Sequence, residues 1–267
     1  MRMVFLYTTA FLASTLTLSA CVKAGSQDVG SCSDFVAEVR KRVDSGGISV
    51  AEGISATRQR ERDCMGTGVY EASLSDLYIS AGDFLQARKY IGLGLKVPEV
   101  DKTIFYESLF EINANEGLDS KNKILGEELV SSGDISLGHL VLGKYYGRKG
   151  DVAESVKSLE IASESPVAEV SYASNRNLVA VYWAMKDYKG VARAFDKADV
   201  YSGDYIYSDP GEPKIAAISN LLIGNVPRSK EILTKLLQTH PGIANDEYVR
   251  MLQKDLSEPL SANGAGE

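Results

Sequence analysis

The sequence predicts an all-α fold, a solenoid of stacked helix-turn-helix hairpins. Apolar residues recur at three- and four-residue spacing, and runs of β-branched residues with a period of two are absent. Short breaks with glycine or small polar residues fall at Asp83, Gly117, Asp151, Asp187 and Asn225, at intervals of 34, 34, 36 and 38 residues. One such hairpin cannot bury its own apolar face, so neighbouring hairpins are expected to stack.

The chain begins with a segment typical of a secretory signal. Arg2 supplies a positive charge, and residues 4–18 are largely apolar, a stretch shorter than the roughly 20 residues that span a bilayer. Residues 18–21 read Leu-Ser-Ala-Cys, which resembles the lipobox of bacterial lipoproteins. The resemblance implies that residues 1–20 are removed and that the Cys21 thiol carries diacylglycerol. The alternative is a plain signal peptide that leaves an ordinary thiol.

Lipidation implies a location. Resemblance to bacterial lipoproteins implies several acyl chains, palmitate among them, which hold a protein on a membrane durably. Val22, where that family uses Asp for retention, fits delivery to the outer membrane. We therefore expect a lipid-anchored, periplasm-facing protein of the bacterial outer membrane, with residues 21–30 as a flexible tether. The net charge of −7 agrees with attachment through acyl chains rather than through lipid headgroup charge.

Two cysteines, Cys32 and Cys64, remain once the lipidated cysteine is set aside. In an oxidising compartment such an even pair predicts a disulfide; two buried free thiols are the alternative. Residues 33–43 and 49–62 each show an amphipathic helical pattern. Residues 31–66 are therefore predicted to form an N-terminal capping hairpin that is stapled by this bond.

The periodic breaks divide residues 67–241 into five degenerate copies of one pattern. Two copies carry a full set of equivalent residues, which are Leu142, Tyr146, Asp151, Leu159 and Ala162, and Leu178, Tyr182, Asp187, Phe195 and Ala198. The pattern resembles the tetratricopeptide repeat (TPR), a 34-residue helical hairpin. The resemblance implies a right-handed superhelical solenoid with a concave groove that binds protein partners. The alternative is an irregular helical domain.

Two copies depart from the pattern. The second has Ile112 where an aromatic residue is usual and Lys121 where Ala is usual. The fifth has Asn220 and Ser229, and Pro227 is expected to open its second helix. These departures make the chain more similar to degenerate TPR-like lipoproteins than to consensus repeat arrays.

The chain after the repeats is predicted to end in a cap and a tail. Residues 242–256 carry apolar side chains at helical spacing, as a C-terminal capping helix requires. Such a helix covers the last hairpin, one face of which would otherwise meet water. Residues 257–267, which contain proline and two glycines, are predicted to be a disordered tail.

One segment accounts for the longest interval between breaks, the 38 residues from Asp187 to Asn225. Residues 199–212 contain Tyr201, Tyr205 and Tyr207 among four carboxylates. Tyrosine combines rigid apolar area with a hydroxyl group, so this segment is a candidate loop for binding a peptide or a polysaccharide. A tolerated insertion is the alternative, and the spacing of the carboxylates does not match an EF-hand calcium loop.

The sequence predicts no catalytic residue, metal or cofactor. Motifs for a serine nucleophile, a zinc protease, a phosphate-binding loop and a Cys-x-x-Cys pair are missing. His139 is interpreted as a packing or surface residue, and His240 as a helix C-terminal residue that interacts with the dipole. Two carboxylate pairs that glycoside hydrolysis could use are interpreted as solvated, and these are Glu127 with Glu128 and Asp209 with Glu212.

These observations together predict a non-enzymatic scaffold. The 29 basic against 36 acidic residues exclude the basic surface that nucleic-acid binding needs. Resemblance to TPR lipoproteins implies an envelope protein partner, bound in the concave groove, in outer-membrane protein assembly, secretin assembly or exopolysaccharide export. Two alternatives come from other classes: an accessory protein that acts on cell-wall glycan, and a carbohydrate-binding module.

Overall fold

The computed structural model describes residues 28–257, with side chains from residue 30 onward except at residues 202–205. Within residues 28–257 the chain forms fourteen α-helices and two short 3₁₀ helices, and it forms no β-strand. The chain divides into two compact units, of which the first ends at Gly117 and the second begins at Leu118. The boundary separates the two helices of the predicted second copy.

The first unit contains the N-terminal hairpin, the first repeat and the first helix of the second copy. Its helices are α1 (Asp28–Asp44), α2 (Val50–Gln59), α3 (Glu61–Cys64), α4 (Val69–Ser80), α5 (Phe84–Gly94) and α6 (Thr103–Asn115). The predicted disulfide is present: Cys32 on α1 and Cys64 on α3 are bonded, with Cα atoms 5.6 Å apart, and both are fully buried. Residues 28–30, which the sequence assigned to the tether, are the start of α1.

The second unit contains the second helix of the second copy, the three later copies and the C-terminal helix. Its helices are α7 (Asp119–Ser132), α8 (Ile135–Lys149), α9 (Val152–Ser163), α10 (Ala168–Met185), α11 (Tyr188–Ser202), α12 (Gly211–Leu222), α13 (Val226–Thr239) and α14 (Glu247–Ser257). The 3₁₀ helices span Gly203–Ser208 and Pro241–Asn245. α14 buries Val249, Leu252 and Leu256, the apolar face that a capping helix needs.

The hairpin turns explain why the breaks are periodic. At the end of α4, Gly82 adopts a left-handed φ of +75°, and the backbone N–H of Asp83 donates to the Tyr78 carbonyl oxygen at 2.9 Å. This is a Schellman-type ending, which satisfies carbonyl groups that the helix leaves free. An equivalent hydrogen bond, from a backbone N–H to the carbonyl oxygen five residues earlier, closes the turns at Gly150-Asp151, Lys186-Asp187 and Gly224-Asn225.

The second copy is shifted by one residue from the predicted register. Gly117, with φ of +72°, takes the left-handed position that Gly82 takes in the first copy. Leu118 is therefore the residue that caps α7. As a consequence Asn122, which is fully buried, occupies the small position, and the prediction of Lys121 there was wrong. The sequence did not reveal that the turn ends at Leu118 rather than at Gly117, because the second copy lacks the tyrosine and alanine that mark the register in other copies.

The same shift moves the aromatic position from Ile112 to Asn113. Asn113 is buried, and its Oδ1 accepts a hydrogen bond from Arg88 Nη2 at 2.8 Å. Asn220 occupies this position in the fifth copy, where its Oδ1 accepts from Asn225 Nδ2 at 3.0 Å. Both polar replacements are therefore satisfied by hydrogen bonds, as buried polar groups require.

Small residues bring the two helices of a hairpin close together. A Cβ atom at Gly143 on α8 would lie 2.5 Å from Leu159 Cγ on α9, so only glycine fits there. Ser155 donates its hydroxyl to the Gly143 carbonyl oxygen at 2.9 Å, and Ser229 makes the equivalent bond in the fifth copy at 2.8 Å. This equivalence supports the assignment of both segments to one repeat.

Candidate functional site

A cavity of about 270 Å³ opens between α9, α10 and α11 in the second unit. α9 and α11 are the second helices of successive hairpins. Both pack extensively on α10, while within the described chain their own backbones stay apart and side chains bridge the space between them. The space between them is therefore open above α10, with charged side chains at its rim and apolar side chains beneath.

Two ion pairs cross the opening. Glu160 on α9 and Glu164, the residue that follows its last helical residue, face Arg193 and Lys197 on α11. The Lys197 Nζ to Glu164 Oε1 distance is 2.5 Å, and the Arg193 Nη2 to Glu160 Oε1 distance is 3.7 Å. Four helical residues rise about 6 Å, so the pairs lie one turn apart. These side chains are 43–72% exposed, and pairs of this kind contribute little to stability and can be exchanged for contacts with a ligand.

Tyr182 on α10 connects the two sides of the rim. Its hydroxyl donates to Glu160 Oε1 at 2.6 Å and accepts from Arg193 Nη2 at 3.2 Å. Burial, followed by the hydrogen bond to the Glu160 carboxylate, raises the pKa of Tyr182 to about 12. The hydrogen bond from Lys197 lowers the pKa of Glu164. At neutral pH the phenol is therefore neutral, and the Glu164 carboxylate is ionised.

The floor of the cavity combines two apolar side chains with the buried polar side chains of Ser163, Asn175 and Tyr182. Leu178 and Ala194 are 3% and 2% exposed. Asn175 is 1% exposed, and its amide nitrogen donates to the Ser171 carbonyl oxygen at 2.9 Å. This orientation makes the amide oxygen of Asn175 the group that can accept a hydrogen bond from a ligand.

None of these rim residues was predicted from the sequence. The signal was present, however, as an acidic pair in one second helix and a basic pair in the next. Each pair has a four-residue spacing, so both members lie on one helix face. Recognising the signal requires knowing that α9 and α11 lie side by side.

The predicted tyrosine segment is ordered as the first 3₁₀ helix. Tyr201 is 50% exposed at the end of α11. Tyr207 is 1% exposed: its ring packs edge-on against Phe195, with centroids 6.0 Å apart, and Lys235 Nζ lies 5.3 Å from its centre. The ring of Tyr207 is thus part of the core, while the side chain of Tyr205 lies outside the description. Binding by this segment stays a prediction.

The predicted lipidation site, Cys21, lies outside the described residues, as do the signal segment, most of the tether and most of the tail. Lipidation therefore stays a prediction. Within residues 28–257, no helix combines the length and apolarity needed to cross a membrane. In the same range, no group of three or more His, Cys, Asp or Glu side chains is placed to hold a metal ion.

The two histidines have different environments. His139 on α8 has a buried Nδ1 without a hydrogen-bond partner in the described chain, and burial, followed by the charge of Lys157, lowers its pKa. His240 directly follows α13 as its C-terminal cap, and its Nε2 lies 2.6 Å from the Tyr207 carbonyl oxygen. A carbonyl oxygen only accepts, so this ring nitrogen carries the proton. His240 thereby fastens the first 3₁₀ helix to α13.

Three of the four carboxylates considered for glycan chemistry, Glu212, Asp209 and Glu127, have structural partners. Glu212 accepts from Arg176 Nε and Nη2 at 2.6–2.9 Å, which joins α12 to α10. Asp209 Oδ1 accepts from the Gly211 backbone N–H at 2.9 Å. Glu127 lies 3.6 Å from Lys123 on the same helix. Carboxylates held in this way are suited to ion pairing rather than to proton transfer.

Comparisons with known proteins bear on the fold. No protein-family model and no curated protein matches the sequence. Six chains of solved structures match, among them one from the crystal structure of the APC/C hetero-tetramer Cut9-Hcn1. The two chains share 14% sequence identity with a TM-score of 0.50, over 85% of this chain and 43% of that chain. This chain thus spans less than half of the other. The likeness confirms the predicted all-α, TPR-like solenoid fold.

Proposed function

We propose that this protein is a scaffold, anchored by lipid in the bacterial outer membrane, that binds a protein partner of an envelope assembly or export complex. The signal segment and the lipobox-like sequence ending at Cys21 support the anchor. The disulfide between Cys32 and Cys64 supports an oxidising compartment, because such bonds are rare in reducing ones. Outer-membrane protein assembly, secretin assembly and exopolysaccharide export are the pathways we consider.

The observation that carries this proposal is the cavity between α9 and α11. Its rim consists of ion pairs that a partner can exchange for its own contacts. A glycosidase needs a carboxylic acid whose pKa is raised so that it can donate a proton. Here Lys197 lowers the pKa of Glu164, and Glu160 accepts from Tyr182. The arrangement favours binding over hydrolysis.

A second candidate function is polysaccharide binding. Val200 and Tyr201 at the end of α11 are 83% and 50% exposed, and together they present a small apolar surface. An exposed tyrosine ring of this kind can stack on a sugar. Loss of exopolysaccharide binding in Tyr201→Ala, with retention in Tyr248→Ala, would favour this second function.

In-cell photo-cross-linking tests the scaffold proposal. A photoreactive amino acid is placed at Lys157 on α9 and at Lys189 on α11, each on the helix face that carries the rim residues. Leu85, which is 78% exposed on α5 in the first unit, is the control position. We expect one envelope protein to be captured from both rim positions, and Cys21→Ser to release the chain from the membrane fraction.

The proposal fails if neither rim position captures an envelope protein and deletion of the gene leaves envelope assembly intact. Membrane attachment that survives in Cys21→Ser would contradict the lipid anchor alone. The two parts of the proposal are therefore tested separately.

A further inference from the structure

The cavity between α9 and α11 has an equivalent one hairpin later, between α11 and α13. Lys197 stands ten residues after the turn residue Asp187, and Lys235 stands ten residues after the turn residue Asn225. On the facing helices, Glu160 and Asp196 each stand nine residues after their own turn residue. Because each pair has the same repeat position, the two junctions can be compared side chain by side chain.

The later junction is filled by a side chain of the protein itself. The ring of Tyr207 lies there, buried against Phe195, with Lys235 Nζ 5.3 Å from its centre. The 3₁₀ helix that carries Tyr207 packs on α11, α12 and α13. A lysine above an aromatic ring is an attractive cation–π contact. Asp199 and Asp196 on α11, together with Arg228 and Glu231 on α13, supply the surrounding charges.

The difference between the junctions comes from the lengths of two connections. Residues 203–210 link α11 to α12 and are long enough to place Tyr207 between the helices. Residues 164–167 link α9 to α10, and this short connection contains no aromatic residue. Lys197, the equivalent of Lys235, therefore binds Glu164 instead of covering a ring.

We infer that the cavity between α9 and α11 receives a tyrosine side chain from a partner protein, in the place that Tyr207 occupies one hairpin later. The volume of about 270 Å³ is below the roughly 300–1,000 Å³ of pockets for drug-sized ligands, and it suits one large side chain. Leu178 and Ala194 contact the ring, and Lys197 moves from Glu164 to its face. The Asn175 amide oxygen accepts from the phenol.

This inference rests on the proposed scaffold function in one respect, namely that the ligand is a segment of a protein. A buried aromatic anchor with a polar tip is a common centre of protein interfaces. Because Arg193 and Glu160 flank the opening with opposite charges, the segment around the tyrosine is expected to be close to neutral.

Peptide display tests the inference directly. A random peptide library is selected on the full chain and, in parallel, on Ala194→Phe, in which the new ring fills the cavity. Ala180→Phe is the matched control, because residue 180 is on the exposed face of α10. We expect peptides with tyrosine at one fixed position to be enriched on the wild type and on Ala180→Phe, and to be lost on Ala194→Phe.

A substitution series in the best peptide sharpens the test. Replacing its tyrosine by Ala should weaken binding about 30-fold or more, as for an interface anchor. Replacement by Phe should weaken binding about threefold to tenfold, the effect of one hydrogen bond. This Tyr-to-Phe difference should vanish in Asn175→Leu. If Ala194→Phe does not fold, as judged by circular dichroism, Ala194→Leu takes its place.

Enrichment of peptides without an aromatic residue, or equal enrichment on Ala194→Phe, overturns the inference. Failure here together with successful cross-linking in cells would leave the scaffold function standing and remove only the tyrosine site. Selection of tyrosine peptides together with failed cross-linking in cells would support the tyrosine site and contradict the proposed envelope partner.

Discussion

The two units of the molecule are stabilised in different ways. The first has a closed core in which the Cys32–Cys64 disulfide lies with Tyr70, Tyr78 and Tyr90. Tyr78 and Tyr90 stack with ring centroids 5.6 Å apart, and Tyr70 meets Tyr90 edge-on at 6.3 Å. Covalent and apolar contacts of this kind are not exchanged on binding. The first unit is thus built for stability near the expected membrane anchor.

The second unit adds several charged contacts between its helices to an apolar core of its own. Arg228 on α13 binds Asp196 and Asp199 on α11 at 2.9 and 2.7 Å, and Arg176 on α10 binds Glu212 on α12. The exposed pairs at the cavity rim belong to the same class of contact, but they can be exchanged. Under the proposed function, we therefore expect binding to be a property of the second unit.

The largest expected effect comes from the disulfide. Removing it by Cys32→Ser with Cys64→Ser should destabilise the first unit by about 3–4 kcal/mol, the chain-entropy value for a loop of this length. The single tryptophan, Trp183, lies in α10 and reports on the second unit. Urea unfolding should therefore show an earlier transition by circular dichroism and an unchanged transition by tryptophan fluorescence. A shift of both transitions would contradict the contrast between the units.

The next largest effect is expected at Arg228, which is 18% exposed. Arg228→Ala leaves Asp199, 12% exposed, without its partner and should destabilise the second unit by about 2 kcal/mol. The matched control is Arg148→Ala, which removes an exposed pair with Asp119 and should cost less than about 1 kcal/mol. Trp183 fluorescence during unfolding measures both, and equal costs would contradict the account.

A smaller, stabilising effect is expected in the turn between α10 and α11. Lys186 adopts φ of +59°, in the position that glycine takes in the turns at Gly150 and Gly224. Because a side chain is strained there, Lys186→Gly should stabilise the second unit by about 0.5–1 kcal/mol. Ala180→Gly, at an exposed position inside α10, should instead destabilise it by about 1 kcal/mol. Thermal unfolding distinguishes the two directions.

The smallest effect concerns pH and α14. The hydrogen bond from Lys214, together with the backbone N–H groups of Val249 and Tyr248, lowers the pKa of Asp246 below 3.8. A lowered pKa contributes stability that is present above the unfolded-state value and is lost as pH falls through the folded-state value. The protection of the α14 amides, after correction for the slower intrinsic exchange at low pH, should therefore fall below about pH 4. In Asp246→Asn the exchange should be faster at neutral pH and should not show this step.

Much of the fold follows from the spacing of a few residues. Asp83, Asp151, Asp187 and Asn225 mark turns because each follows a residue with a left-handed φ. The one-residue shift at Gly117 could not be predicted, since a second copy without Tyr and Ala landmarks offers no register. The boundary between the two units also has no composition signal.

The candidate site was less accessible to sequence reasoning. A cavity forms where no side chain fills the space between two helices. A sequence pattern shows which residues are present, but it does not show which spaces they leave empty. Tyr207 illustrates the same limit, because a tyrosine in a long connection is equally suited to a partner and to the core. Only the side-by-side placement of α11 and α13 decides between these two environments.

The central claim is that the second unit binds its partner through the cavity between α9 and α11. The most direct measurement is cross-linking in cells from Lys189 in the wild type, in Ala194→Phe and in Ala180→Phe. We predict that the envelope protein captured by the wild type is lost in Ala194→Phe and retained in Ala180→Phe. Capture that persists in a folded, membrane-bound Ala194→Phe protein would contradict the claim.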